Sequence, residues 1–165
     1  MNPLSLLSKR ALRLDHVAIA VPDLEAAIRF YRDTLGMDLI SRRTISGKKT
    51  GMVSAEMNSG EFSIVLVQGT ESASQVTRFI EEFGPGVQHI AIEVDSVEDV
   101  ANELRARGME FETNVIVGPG LTQIFAKRDA SSGVMFEFIE RTGNEGFHED
   151  SVRSLFEQLE SSEAF

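Results

Sequence analysis

The sequence contains no cysteine, and this absence removes whole classes of chemistry. There can be no disulfide, no thiolate metal site and no thiol nucleophile, so any metal must be held by His, Asp, Glu or Gln. Basic charge is also scarce: 16 Lys and Arg stand against 26 Asp and Glu, a net charge of −10. That balance argues against nucleic acid or an anionic membrane as partner, because phosphates would be repelled. The excess acid reads as a solvated surface. Long hydrophobic runs are missing too, and none approaches the roughly 20 residues needed to span a bilayer. The apolar patch within residues 1–10 is too short for a secretory signal, and its charges follow it instead of leading it. A cytoplasmic protein is the resulting expectation. What remains is globular: 42% hydrophobic residues over a length that suits one domain.

Residues 1–12 read as an N-terminal arm and 13–165 as a single domain. A strand over Leu14–Val21 is stopped by Pro22, and Asp23 is a good N-cap for a helix with Leu24, Ala27, Ile28, Tyr31 and Leu35 on its apolar face. Gly36 ends that helix. Strands follow at 37–43, 51–57 and 62–67, then a polar crossing into a short helix over 76–83. After Gly84-Pro85-Gly86 the pattern restarts: a strand at 87–94, Asp95-Ser96 capping a helix to Arg107, and strands at 110–117, 121–127 and 134–140. Ser151, Val152, Leu155, Phe156 and Leu159 space a final amphipathic helix over about 149–161.

Strand, helix and three strands, written twice at a period of roughly seventy residues, is too long a repeat for a solenoid. The predicted fold is α+β: two βαβββ modules, about 13–70 and 86–141, paired into an open eight-stranded barrel, with a C-terminal helix. The first strand of each module carries a histidine, His16 and His89, where an aliphatic residue belongs. A lone strand histidine is usually a satisfied core residue. Two at equivalent repeat positions, together with Glu137 in the apolar strand Val134–Ile139, point to a metal, because an unpaired buried carboxylate is costly. Phe125, Phe136 and Phe138 read as core or pocket wall, His148 as a surface histidine, and Glu140-Arg141 as a solvent-facing pair.

The segment Leu14-Asp15-His16-Val17-Ala18-Ile19-Ala20-Val21-Pro22-Asp23-Leu24, with Phe30-Tyr31-Arg32-Asp33-Thr34-Leu35-Gly36, resembles the opening of the vicinal oxygen chelate superfamily. The second half narrows the resemblance. Gly84-Pro85-Gly86-Val87-Gln88-His89-Ile90-Ala91, Leu121-Thr122-Gln123-Ile124-Phe125-Ala126-Lys127, Phe136-Glu137-Phe138-Ile139-Glu140-Arg141 and Gly143-Asn144-Glu145-Gly146-Phe147 look like the catalytic domain of 4-hydroxyphenylpyruvate dioxygenases. The likeness covers about residues 13–160. That family's separate N-terminal barrel has no counterpart in this sequence, and its long insertion between the sixth and seventh strands is reduced to Gly118-Pro119-Gly120.

The resemblance implies Fe(II) held by His16, His89 and Glu137, with open positions for a chelating 2-oxo acid and O2. It implies oxidative decarboxylation of an arylpyruvate-like substrate, Gln123 and Phe147 as substrate-binding residues, and a C-terminal helix that lids the site. A homodimer is implied by analogy alone. In glyoxalase I and methylmalonyl-CoA epimerase a fourth ligand, Glu or Gln, lies on the last strand of the first module. The register places Val65 there, and Gln68, an odd number of residues further on, should point to the opposite face. A metal-dependent isomerase or lyase of the epimerase or glyoxalase type, and a non-enzymatic small-molecule-binding barrel, stay open as alternatives.

Overall fold

In the computed structural model, which describes residues 5–143 and 149–162, the predicted alternation yields eight strands. They are β1 (Ala11–Ala20), β2 (Asp38–Ser46), β3 (Gly51–Asn58), β4 (Ser63–Gly69), β5 (Gly86–Val94), β6 (Ile116–Gly118), β7 (Leu121–Phe125) and β8 (Met135–Arg141). The helices are α1 (Leu7–Arg10), α2 (Leu24–Arg29), α3 (Gln75–Phe83), α4 (Val97–Ala106) and α5 (Glu149–Ser161). All eight strands form one mixed, curled sheet in the order β2-β3-β4-β1-β5-β8-β7-β6. The two halves are wired alike: β1 lies parallel to β4, and β5 parallel to β8. They join antiparallel through β1 and β5. This is the predicted α+β open barrel of paired modules with a C-terminal helix.

Each half buries one sheet face under its own helix. Leu24 and Ile28 of α2 pack on Ala55, Met57 and Leu66. Val97, Val100, Ala101 and Leu104 of α4 pack on Ile124 and Phe138, joined by Leu6 from ahead of β1. The caps are those expected from sequence: Asp23 accepts from the Ala26 N–H and Ser96 from the Asp99 N–H. The α5 helix packs on both β2 and β6, the two free edges of the sheet, and so bridges the barrel's open side.

Three local features differ from the sequence reading. The first helix does not run evenly to Leu35. Beyond Arg29 it widens into a π turn over Phe30–Thr34, with the Leu35 N–H bonded to the Phe30 carbonyl. The extra residue rotates Leu35 off the apolar face and leaves it 55% exposed. The strand expected over 110–117 is paired only at Ile116–Gly118, with one further bridge from Phe111 to Ala126. Between them the Thr113 hydroxyl accepts from the Phe125 N–H, taking the place of a backbone carbonyl in the ladder. Finally, the stretch ahead of residue 13 holds a helical turn and the start of β1, anchored by Arg10 against Asp95, Asp99 and Glu103.

Candidate metal centre

The two histidines lie on the strands where the halves meet, and a β-bulge precedes each. In the β1–β5 ladder Leu14 faces Ile92 and His16 faces Ala91, so Asp15 is an extra residue. Further along, Ala18 faces His89 and Ile19 faces Val87, so Gln88 is extra. A bulge re-aims the side chains beside it. The outcome is the same in both strands. The Nδ1–H of His16 donates to Asp15 Oδ1 at 2.8 Å, and the Nδ1–H of His89 donates to the Gln88 amide oxygen. When the ring is neutral, each neighbour thereby favours the Nδ1–H tautomer, which leaves Nε2 as an acceptor or ligand.

The Nε2 atoms converge with Glu137, the third member of the predicted set. His16 Nε2 lies 3.2 Å from His89 Nε2 and 3.2 Å from Glu137 Oε2, and His89 Nε2 lies 3.5 Å from the same oxygen. Taken one per residue, the three donor atoms lie within 4.8 Å of one another. Glu137 is buried, and its other oxygen, Oε1, has no hydrogen-bond partner. A buried carboxylate oxygen without a partner is expensive, and a cation at the centre of the three donors would relieve that cost. Two imidazoles and one carboxylate suit a divalent first-row metal.

Electrostatics without a metal describe a strained cluster. Burial alone would lower His16, but the Glu137 carboxylate and the hydrogen bond to Asp15 outweigh it and push the imidazole up to about 9. Burial raises the Glu137 carboxyl, with His16 opposing. His89 is held well below its ordinary value, first by burial and then by the His16 charge. Burial would raise Asp15 too, but hydrogen bonds from His16 and Arg141 hold it well below the usual carboxylate range.

Arg141 corrects one expectation. It does not form a solvent-facing pair with Glu140: its Nε and Nη2 clasp Asp15 at 2.6 and 2.9 Å, while Glu140 accepts from the Val97 N–H at the start of α4. Asp15, Gln88 and Arg141 are thus site residues that sequence reasoning missed. The available signal was a polar residue ahead of each histidine, at the same place in both repeats.

A cavity of about 70 Å³ adjoins the triad. Its walls include Gln123, Arg43, Ser54, Met52, Val65, Val67 and, from α5, Val152 and Leu155. Gln123 is buried and both of its amide heteroatoms lack hydrogen-bond partners. Phe147 lies outside the described residues, as does His148. The sheet register also locates the symmetry mate of Glu137. Ala91, two residues beyond His89, faces Glu137 on β8; Ala18, two residues beyond His16, faces Val65 on β4. A hydrocarbon therefore stands where a fourth ligand would be. Gln68 points away from the cavity, as its parity requires, and its side-chain oxygen accepts from the Leu24 N–H at the start of α2.

A family model described as the Glyoxalase/Bleomycin resistance protein/Dioxygenase superfamily matches residues 13–138. The chain belongs to that superfamily. Within it, a 4-hydroxyphenylpyruvate dioxygenase of Legionella pneumophila is 30% identical over 167 residues, which cover 79% of this chain and 48% of the relative. The chain thus spans about half the length of the dioxygenases it matches. Among solved structures, a mutant 4-hydroxymandelate synthase from Streptomyces coelicolor superposes with a TM-score of 0.81, at 24% identity, over 92% of this chain and 54% of that one. That second likeness is one of fold. Methylmalonyl-CoA epimerase from Mycobacterium tuberculosis superposes with a TM-score of 0.69, at 28% identity, over 81% of this chain and 90% of that one.

Proposed function

We propose that this superfamily member is a non-haem Fe(II)-dependent dioxygenase of a 2-oxo acid, with His16, His89 and Glu137 as the metal ligands. The observation that carries the reading is Val65 at the position equivalent to Glu137, which leaves three protein donors at the centre among the described residues. Three protein ligands with vacant coordination positions suit an oxygenase, which must admit both a chelating substrate and O2. Bound iron would supply the redox chemistry; the protein supplies geometry and a dry pocket. Asp15 and Gln88 fix the ring orientations. Gln123 offers an amide donor and acceptor to a substrate oxygen, and Val65, Val67, Val152 and Leu155 exclude water.

The test is iron analysis of anaerobically purified protein, then oxygen uptake across arylpyruvates and aliphatic 2-oxo acids. The iron-loaded protein consumes O2 with at least one of them; silence across the whole panel overturns the reading. His89→Ala protein stays folded but no longer retains iron, and stoichiometric iron in that variant would refute the ligand assignment.

A metal-dependent epimerase or related isomerase is the second reading. It is supported by the likeness to the Mycobacterium tuberculosis methylmalonyl-CoA epimerase, at 28% identity and a TM-score of 0.69. Turnover with a redox-inactive divalent metal and no oxygen uptake would select it.

A further inference from the structure

A bulge aims each histidine, and an arginine of the second module grips each bulge. Ahead of His16 the grip is on a side chain, Arg141 clasping Asp15. Ahead of His89 it is on the main chain. Arg128, in the connection between β7 and β8, donates from Nη1 to the Gln88 carbonyl at 3.2 Å and to the Gly133 carbonyl at 2.7 Å. Its guanidinium is seated on α3, with the central carbon 4.8 Å from the Phe79 ring centre and 5.4 Å from that of Phe83. Phe79 is itself buried against Ala20, Val67 and Val76, so the seat is fixed to the core.

The position of the two carbonyls decides what this contact does. β5 and β8 pair in parallel from His89 opposite Met135 onward. Gln88 stands one residue ahead of that first pair on β5, and Gly133 two ahead of it on β8. Gln88 is also the extra residue of the bulge, and a bulged residue drops out of the regular ladder. The Arg128 nitrogen therefore ties the two strands together just before their own pairing begins. His89 follows at once on one strand, and Glu137 four residues after Gly133 on the other. Metal–ligand distances tolerate only about 0.2 Å, so a main-chain shift too small to open the sheet is enough to weaken the centre.

We propose that Arg128 is a positioning residue for the metal centre: by bridging the Gln88 and Gly133 carbonyls it fixes the bulge that points His89 at the metal. This assignment rests on His89 and Glu137 as ligands and holds whichever substrate the centre takes. Arg128 acts through the main chain, whereas the Gln88 amide acts on the ring nitrogen. Losing Arg128 lets the whole residue move; losing the amide removes one hydrogen bond.

The experiment is titration of the protein with Co(II), reading affinity by competition against a chromophoric chelator and geometry from the visible spectrum. Arg128→Met keeps the stem over Phe79 and removes the donors; Arg128→Gln keeps a donor too short to reach both carbonyls. Whichever of them folds should bind Co(II) about tenfold more weakly, the low end of the range for groups standing behind a metal ligand, with a shifted spectrum. Arg128→Lys returns a donor to the same place and should bring back both affinity and spectrum. Phe83→Ala removes part of the seat and neither carbonyl contact, so it should lower the melting temperature and leave Co(II) binding unchanged. Parental affinity and spectrum in Arg128→Met or Arg128→Gln overturn the Arg128 assignment alone. So does a Phe83→Ala protein that loses as much, which would make the effect one of general loosening, and so does an Arg128→Lys protein that restores nothing. Parent protein that binds no Co(II) overturns the ligand assignment, and this one with it.

Discussion

Asp15 and Gln88 do the same job for the two histidines with different charge. Asp15 is an anion clasped by Arg141; Gln88 is a neutral amide. A carboxylate behind an imidazole raises its basicity as a ligand, and loss of such a partner typically costs roughly 10–100-fold in metal affinity. Asp15→Asn should fall in that range, and Gln88→Leu should cost less, both measured by competition against a chromophoric chelator. An Asp15→Asn protein that holds metal as tightly as the parent would show that orientation, not charge, is what Asp15 contributes. The metal-free cluster also predicts proton release. Because His16 is pushed up to about 9, it carries a proton at neutral pH that a metal must displace. Affinity for a divalent ion should therefore rise with pH and level off once pH passes about 9. Calorimetry in buffers of differing ionisation enthalpy reads that proton directly; uptake without release would mean the imidazole is already neutral.

The α5 helix connects the site to the edges of the sheet. Glu160 accepts from the Lys49 N–H, the Thr50 N–H and the Thr50 hydroxyl at 3.0, 2.8 and 2.7 Å, binding the helix to the β2–β3 turn. At the opposite edge the Gln158 side-chain oxygen accepts from the Asn114 N–H. Phe156 is buried, and a Cβ added at Gly47 would sit 2.8 Å from its ring, so that glycine makes room for the helix. Phe156→Ala should cost about 3–5 kcal/mol if α5 unfolds only with the rest of the chain. Glu160→Ala should cost about 1–3 kcal/mol through the lost charge-assisted bonds. Thermal denaturation gives both numbers. Early cleavage within 149–162 by limited proteolysis, with the barrel intact, would show instead that α5 detaches on its own.

At the scale of the whole molecule the duplication was legible because it is written in polarity. Alternating strands, Asp23 and Ser96 as caps, and glycine breaks recur at matching places, and the two histidines interrupt aliphatic strands at one repeat position. The triad followed from that pattern, and Glu137 from its apolar strand. What stayed hidden depends on geometry that periodicity does not carry. Bulges at Asp15 and Gln88 shift side-chain parity, so an alternation argument assigns both residues to the wrong face. Arg141 lies 126 positions from Asp15, and only the pairing of the two halves brings them together. The π turn after Arg29 and the Thr113 substitution in the β6–β7 ladder are single-residue exceptions of the same kind.

The relation between positions 65 and 137 makes the asymmetry of the centre a matter of one side chain. Glu137→Val alone should abolish metal retention. Adding Val65→Glu to that variant would transplant the acid to the equivalent strand of the other repeat, facing the same two rings from the other side. If metal uptake returns, the scaffold is indifferent to which repeat donates the carboxylate, and the present chain records only which copy kept it.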